Sequence, residues 1–141
     1  MKFSKKVYYG LKFLLALNSG NREDFFGIMQ VSISEDIPLK FLEAIAVALK
    51  KADIVEVKRG AGGGYRLKKQ ANQIKVSDVM DVLEDAYHKQ YLPKAQSNNE
   101  KAVSFILDKI SDDFHALLQT YTISDLKKRY DEMNENQMYY I

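Results

Sequence analysis

Cysteine is missing from this 141-residue sequence, proline occurs only twice, and no apolar run is long. Without cysteine the chain forms no disulfide, no thiolate nucleophile and no cysteine-ligated metal centre. No window approaches the roughly 18 apolar residues of a membrane span, and the apolar stretch at 13–17 is followed by polar residues rather than a cleavage site. We therefore expect a cytoplasmic protein that makes no contact with a membrane.

Patterns that support catalysis or metal binding are also scarce. The two histidines, His88 and His115, lack the spacing of metal ligands, and Asp112-Asp113 is more typical of solvated helix surface. The glycine run Gly60–Gly64 lies between two short predicted strands and is not followed by Gly-Lys-Ser or Gly-Lys-Thr, which disfavours a phosphate-binding loop. The sequence thus predicts no catalytic residue, no metal and no cofactor, and hence no enzyme.

Charge is unevenly distributed, although the formal net charge is only +2. Residues 1–69 contain 13 Lys and Arg against 7 Asp and Glu, whereas residues 70–141 contain 8 against 12. A basic half beside an acidic half indicates that the first half faces a polyanion, although an accidental fluctuation would give the same pattern.

Three helices are predicted in the first half. Ser4 is a suitable N-cap for the first, whose apolar residues recur three or four positions apart as far as Leu17. A helix over 27–35 and a longer one over 38–52 follow, separated by Asp36-Ile37-Pro38, and proline suits the first turn of a helix. The tight turn between them is typical of a helix-turn-helix, although Val31–Ser34 also alternates as a strand does.

A β-hairpin is predicted directly after this helix pair. Asp53 suits the end of the preceding helix because aspartate tolerates a left-handed conformation better than most residues do. The β-branched residues of 54–59 and the alternation at 65–67 predict two strands, and Gly60-Ala61-Gly62-Gly63-Gly64 predicts the turn between them. The hairpin is a wing, so the fold class is mainly α with a small β-hairpin wing, a winged helix-turn-helix domain.

One long apolar stripe dominates the second half. A helix beginning at Lys75 or Ser77 comes before it, and residues 89–99 predict a loop. The stripe has alternating spacings of four and three, as in a coiled coil, and comprises Val103, Leu107, Ile110, Phe114, Leu117 and Tyr121. Because this segment follows a compact domain and a linker, it has little of its own chain to pack against, and we expect a long dimerisation helix. An internal core helix is the alternative.

The predicted organisation therefore has four parts. A winged helix-turn-helix DNA-binding domain spans 1–86, and a linker loop spans 87–98. The dimerisation helix and a short C-terminal helix span 99–134, and a tail spans 135–141.

Candidate DNA contacts lie on the second helix of the pair. Leu39 and Leu42 are expected to point inward, which leaves Lys40, Phe41 and Glu43 on or near the outer face. Side chains of these types can contact base edges in the major groove. Phe41 could equally belong to the core.

The wing and the N-terminus supply further candidates. Arg59 and Arg66 flank the glycines, and an arginine on a thin wing can enter a narrow minor groove. Lys2, Lys5 and Lys6 would contact phosphate, although the simpler interpretation is a solvated helix start.

Several segments together resemble a known family. They are Met1–Ser4 with Lys6 and Tyr9-Gly10, Ile37–Glu43, Arg59–Tyr65, Val76–Asp85 and Thr122–Leu126. The sequence is similar in these segments to the Rrf2 family of bacterial winged helix-turn-helix transcriptional regulators, the IscR/NsrR/CymR-like group, and the similarity covers nearly the whole chain.

The resemblance implies a homodimer bound to a double-stranded DNA operator, and it implies positions for the contacts. Bases would be contacted by Lys40, Phe41 and Glu43. The wing would meet the minor groove at Arg59, within a motif that includes Gly62, Gly63 and Tyr65. Phosphates would be contacted by Ser4, Lys5, Lys6 and Tyr9.

One departure from the family pattern is informative. Many members carry three cysteines between the post-wing helix and the dimerisation helix, and these hold an iron–sulfur cluster. Here residues 86–94 contain no cysteine, and tyrosine or a single histidine does not replace thiolate ligands. The chain is therefore expected to be a cluster-free member. Asp53 and Ala61 stand where Gly and Pro are common.

Two functions stay open on the sequence. The favoured one is a sequence-specific regulator, a repressor that binds a palindromic operator as a homodimer. The alternative is a protein-interaction module that uses a degenerate winged helix and the heptad helix. An unknown small-molecule or protein effector is compatible with either, and Tyr87, His88, Tyr91 and His115 are candidates by location alone.

Overall fold

Helices make up most of the chain in the computed structural model, which describes residues 3–84 and 94–138. The elements are α1 (Lys5–Leu17), α2 (Ile28–Ser34), α3 (Leu39–Lys51), β1 (Val55–Lys58), β2 (Gly64–Leu67), a 3₁₀ turn (Ala71–Gln73), α4 (Val76–Leu83), α5 (Asn98–Gln119) and α6 (Ile123–Met138). The predicted fold class, mainly α with a two-stranded hairpin, is confirmed. Among the helices described, none is long and apolar enough to cross a membrane.

Helix α1 forms the centre of the winged half. The Ser4 hydroxyl accepts a hydrogen bond from the Val7 amide at 3.3 Å, so the predicted N-cap is confirmed. Phe13 and Leu14 are completely buried, and α1 packs against α3, α4, α6 and β2. The apolar face predicted from spacing is therefore the face that the other elements cover.

The turn between α2 and α3 is held by two hydrogen bonds between Ser32 and Ile37. The Ser32 hydroxyl donates to the Ile37 carbonyl at 2.6 Å, and the Ile37 amide donates to the Ser32 carbonyl at 3.0 Å. Asp36 has a positive φ of 53° and Ile37 is buried. Pro38 is the N-cap of α3 rather than a residue of its first turn, so α3 begins one residue later than predicted. The alternative strand over 31–34 is wrong, because these residues belong to α2.

Asp53 ends the recognition-helix candidate as the sequence predicted. Its φ is 59°, in the left-handed region. The reversal lets Ile54 donate to the Leu49 carbonyl at 3.0 Å and brings Val55 into β1. The strands pair antiparallel, with Val57 opposite Tyr65 and Lys58 opposite Gly64.

The C-terminal helices share the core of the winged half, contrary to the expectation that α5 has little of its own chain to pack against. Leu118 and Ile123 are buried in the same hydrophobic cluster as α1 and α3. The Val76 amide donates to the Tyr121 carbonyl at 2.8 Å, and the Ile123 amide donates to the Ile74 carbonyl at 3.0 Å. The end of α5 and the start of α6 are therefore fixed to α4 and the segment before it.

Two predicted boundaries differ from the structure. Helix α5 begins at Asn98, behind a capping box of Ser97 and Glu100, whereas the linker loop was expected to reach 98. Helix α6 has 16 residues and continues to Met138, so the prediction of a short helix and of a tail from 135 is wrong for 135–138. Linker residues 87–93 and tail residues 139–141 lie outside the described residues.

Candidate nucleic-acid interface

The start of α3 presents two polar side chains to solvent. Lys40 and Glu43 are exposed, whereas Leu42 and Ile45 are completely or almost completely buried. Their backbone is fixed because the inward face of the same helix packs on α1 and α2. Both predicted residues are thus exposed on a helix whose opposite face is fixed in the core.

Phe41 lies differently from Lys40 and Glu43. Its ring packs edge-on against Tyr9, with centroids 5.4 Å apart and planes at 81°, and both side chains are partly buried. Such an aromatic pair favours a defined separation of α1 and α3. The sequence left open whether Phe41 contacts bases or joins the core. In the structure Phe41 packs against the hydrophobic core beside Tyr9 of α1.

The N-terminal candidates separate into exposed and engaged groups. Lys5 and Lys6 are exposed on the first turn of α1. Ser4 caps that helix through its hydroxyl, and its amide donates to the Glu84 carboxylate at 3.3 Å. Lys2 lies outside the described residues. Among the described residues of this group, Lys5 and Lys6 are therefore the two with exposed ammonium groups, which makes them the candidates for phosphate contact.

Glycine backbone conformations shape the tip of the wing. Gly60 and Gly62 have positive φ angles of 93° and 72°, which residues with a side chain rarely adopt. A Cβ on Gly63 would lie 2.2 Å from the Lys58 carbonyl oxygen. The tip is thus a thin backbone loop, and Arg59 on its edge is exposed.

The two arginines that flank the tip have different surroundings. The Arg66 Nε donates to Glu56, its Nη1 donates to the Glu23 carbonyl at 3.1 Å, and its guanidinium lies 4.3 Å from the Phe25 ring centroid. Arg59 makes no ion pair or hydrogen bond with the residues that the structure describes. Arg66 therefore fastens the hairpin to the preceding loop, whereas Arg59 is exposed and has no such partner among the described residues.

A backbone bridge that sequence reasoning missed attaches the wing to the domain. Phe26 and Tyr65 exchange amide–carbonyl hydrogen bonds of 2.8 Å in both directions. The Tyr65 ring packs edge-on against Phe13 at 5.9 Å, so the predicted wing residue Tyr65 is an anchor to α1. The aromatic pair Phe25-Phe26 in a polar loop was the sequence signal for this bridge.

A surface cleft of about 610 Å³ lies between this loop and the wing. Its lining includes four cationic side chains, Arg22, Lys58, Arg66 and Lys68, against the carboxylates Glu23 and Glu56. A cationic cleft beside the wing suits a nucleic-acid phosphate. Arg22 and Lys58 are thus additional candidates for phosphate contact that sequence reasoning did not select.

An ion pair closes the base of the hairpin. The Lys68 ammonium donates to the Asp53 carboxylate at 2.9 Å. This hydrogen bond and the attraction of the two charges hold the pKa of Asp53 below, and the pKa of Lys68 above, their ordinary values. The pair joins the end of α3 to the residue after β2, and so fixes the wing relative to the recognition-helix candidate.

Most of the stripe predicted for dimerisation is exposed. Val103, Leu107, Ile110, Leu117 and Tyr121 are 40–59% exposed. Phe114 is partly buried and packs against the core of its own chain, so it serves the internal packing that the sequence offered as the alternative. Several large apolar side chains exposed along one helix make this face a candidate interaction surface.

The chain's donor set does not fit an iron–sulfur cluster. Cysteine is absent from the whole sequence, and histidine and carboxylate do not supply the thiolates that such a cluster needs. His115 lies 3.3 Å from the Gln119 side chain in α5, and His88 is outside the described residues. In the ranges 3–84 and 94–138, no three His, Asp or Glu residues are grouped as metal ligands would be.

Comparisons with known proteins identify relatives of the chain. A family model described as "Rrf2: Iron-dependent Transcriptional regulator" matches residues 3–129. The HTH-type transcriptional regulator IscR of Cereibacter sphaeroides is 40% identical over 89 residues, which cover 60% of this chain and 56% of that relative. The HTH-type transcriptional regulator CymR of Bacillus subtilis is 28% identical over 141 residues, the full length of both chains.

Solved structures share the fold. A structure of T. potens IscR has a TM-score of 0.76 at 27% identity and covers 94% of this chain and 90% of its own. The structure of CymR, the global cysteine regulator of B. subtilis, has a TM-score of 0.75 at 24% identity, with 92% and 98% covered. The chain's fold is therefore that of the winged helix regulators.

Proposed function

Because this chain belongs to the Rrf2 family of transcriptional regulators, we propose that it binds specific double-stranded DNA and regulates transcription without an iron–sulfur cluster. The observation that carries the proposal is the contrast within the wing and α3. Arg66, Tyr65 and Phe41 are engaged in packing, whereas Lys40 and Arg59 stay exposed. The packed side chains thus hold the wing and α3 in place, and the two exposed cationic side chains are left to bind a partner.

In the proposed complex α3 lies in the major groove. Lys40 donates to guanine or phosphate, and Glu43 accepts from cytosine. Arg59 enters the adjacent minor groove, where the negative potential is enhanced. Lys5, Lys6 and the cationic cleft beside the wing contact phosphates and fix the register without specifying sequence.

Two chains bind as a homodimer through the exposed face of α5. A 22-residue helix is about 33 Å long, and its stripe lies outside the core of its own chain at every position except Phe114. A two-fold pair of recognition helices would contact two half-sites about one helical turn apart, which predicts a palindromic operator.

Repression in the cytoplasm is the expected outcome of this binding. A dimer that covers two half-sites of a promoter excludes other proteins from that DNA. The alternative, a degenerate winged helix that binds only protein, is disfavoured because the wing keeps its glycine conformations and an exposed tip arginine.

Selection from a random duplex library followed by gel shift tests the proposal. The selected sites should be palindromic, and affinity should fall steeply with salt. Arg59→Ala should weaken binding by about 1–3 kcal/mol, while Lys40→Ala and Glu43→Ala should change base preference. Lys109→Ala in α5 is the matched control. Wild-type binding by all three interface variants, or no salt-dependent duplex binding, would contradict the proposal.

A further inference from the structure

A second cleft, of about 260 Å³, lies between α1 and α6. Helix α1 contributes Tyr8, Lys12, Leu15 and Ala16, which fall on one face at helical spacing. Helix α6 contributes Lys127 and Tyr130. The cleft reaches the helix-turn-helix, because Glu35 at the end of α2 also lines it.

The lining combines apolar surface with two lysines, Lys12 and Lys127, and also includes Ser19 and the acidic residue Glu35. The Lys12 ammonium donates to the Glu35 backbone carbonyl and lies 5.6 Å from the Tyr8 ring centroid. An ammonium group has three donors, and within the described residues Lys12 has no carboxylate partner. Two of its N–H bonds are therefore left for an anion in the cleft.

Lys127 supplies a second positive charge on the opposite helix. Its ammonium lies 5.2 Å from the Tyr130 ring centroid and pairs with Asp131 at 2.8 Å. Asp131 is not part of the lining. The cleft thus places a tyrosine and a lysine from each helix around the apolar side chains of Leu15 and Ala16.

We propose that this cleft binds a small organic anion, a carboxylate on an aromatic or apolar body, and that its occupancy changes operator affinity. The volume suits a molecule somewhat smaller than a drug-sized ligand. The rings and Leu15 would cover the body, and Lys12 would donate to the carboxylate. The regulatory part rests on the proposed DNA-binding function.

The link to DNA binding is the backbone of Glu35. Glu35 caps α2, and the next three residues form the turn that sets the start of α3. A ligand carboxylate bound to the remaining N–H bonds of Lys12 would fix the ammonium that also donates to the Glu35 carbonyl, a contact that joins α1 to this turn. Since coupling between two sites is reciprocal, operator DNA should change ligand affinity by the same factor.

Chemical-shift mapping with benzoate, and with benzamide as its neutral analogue, tests the binding site. Benzoate should shift the amides of α1, Glu35 and α6, and should bind at least about tenfold tighter than benzamide. Lys12→Met removes the charge but keeps the apolar stem, and should abolish this preference. Lys128→Met, a neighbour of Lys127 outside the cleft lining, is the matched control. Tyr130→Ala, at a half-exposed position, should weaken both ligands without a folding defect.

The outcomes separate this proposal from the proposed function. No shifts with benzoate, or equal binding of benzamide, would overturn the anion site even if operator DNA binds normally. Benzoate binding that leaves operator affinity unchanged would overturn the regulatory role. Benzoate binding by a protein that shows no salt-dependent DNA binding would refute the proposed function while supporting the site.

Discussion

The winged half and α5 differ in where their large apolar side chains lie. In α1 and α3, Phe13, Leu14 and Leu42 are completely buried, and the surrounding elements come from the same chain. In α5, Ile110 and Val103 are each 59% exposed, and Leu118 is the buried residue of that helix. The first region buries its large apolar side chains in a core that the end of α5 and the start of α6 complete, whereas the rest of α5 leaves an apolar face exposed, as interaction surfaces do.

Their polar contacts differ in the same way. In the winged half, ion pairs and hydrogen bonds join separate elements, as Arg66 with Glu23 and Lys68 with Asp53 do. In α5 the pair of Lys109 and Asp113, at 3.6 Å, joins two turns of one helix. Contacts between elements fix the wing relative to its neighbouring loop and helix, while pairs within a helix add only local stability.

The largest expected effect compares two phenylalanines, one from each region. Phe13→Ala should lower the free energy of unfolding by about 3–5 kcal/mol, because the ring is completely buried against Tyr65 and leaves a cavity. Phe105→Ala, at a position that is 67% exposed in α5, should change it by less than about 0.5 kcal/mol. Urea denaturation measures both, and equal losses would contradict the contrast between the regions.

The next effect concerns assembly. Ile110→Glu combined with Leu117→Glu should give folded monomers, since both side chains are more than half exposed in the single chain. Operator affinity should fall by about 100-fold or more when the two half-sites are no longer bound together. Phe114 is unsuitable for this test because it packs against its own core.

Light scattering and circular dichroism on the same samples measure assembly and folding together. Phe105→Glu, a charge added to an exposed position of α5 that lies outside the predicted stripe, is the matched control and should stay dimeric. A wild-type monomer at micromolar concentration would refute the assignment of this face.

Sequence reasoning was most successful where structure is set by local rules. The caps at Ser4 and Asp53, the face of α1 and the glycine turn follow from neighbouring residues, and the structure confirms each. The position of Phe41 was left open because helical spacing shows only that its side chain lies at the border between the buried and the exposed face of α3. Tyr9, which decides the matter, is 32 positions away in the sequence.

The two arginines of the wing show what the sequence did not predict, namely which of them is held by other residues and which is exposed. Arg59 and Arg66 flank the same glycines, and composition does not distinguish them. The register does, because it places Arg66 opposite Glu56 and leaves Arg59 at the tip. Arg66 also contacts Phe25 and Glu23, whereas Arg59 does not. These two residues belong to a loop, and the periodicity of the sequence does not predict that this loop approaches the wing.

A smaller effect compares two glycines of the winged half. Gly64 has a φ of 142°, and a Cβ there would lie 2.2 Å from the Phe26 carbonyl oxygen. Gly64→Ala should therefore cost about 1–3 kcal/mol of stability and weaken DNA binding by displacing the wing. Gly27→Ala is the control, because a Cβ there meets nothing within 4 Å. Thermal unfolding should separate the two variants, and similar melting temperatures would show that the bridge is unimportant.

The smallest effect compares the ion pair of Asp53 and Lys68 with that of Lys109 and Asp113. Because folding lowers the pKa of Asp53 from 3.8, the pair stabilises the folded state above that pH, and the contribution is lost as pH falls through the lowered value. Because folding raises the pKa of Lys68 from 10.5, the contribution is complete below 10.5 and is lost as pH rises through the raised value. The stabilisation should thus be constant between these limits and should decline at both ends.

A double-mutant cycle with Asp53→Asn and Lys68→Gln measures this coupling. Asparagine keeps the tolerance for positive φ that position 53 requires, so the cycle isolates the charge interaction from a backbone effect. The same cycle on Asp113 and Lys109 should give a weaker coupling, because that pair is longer and joins turns of one exposed helix. High salt should reduce both. An Asp53–Lys68 coupling that persists when the carboxyl is protonated would show that the attraction of the charges is not its source. A coupling no larger than that in α5 would show that the pair does not stabilise the hairpin base more than an ordinary surface pair does.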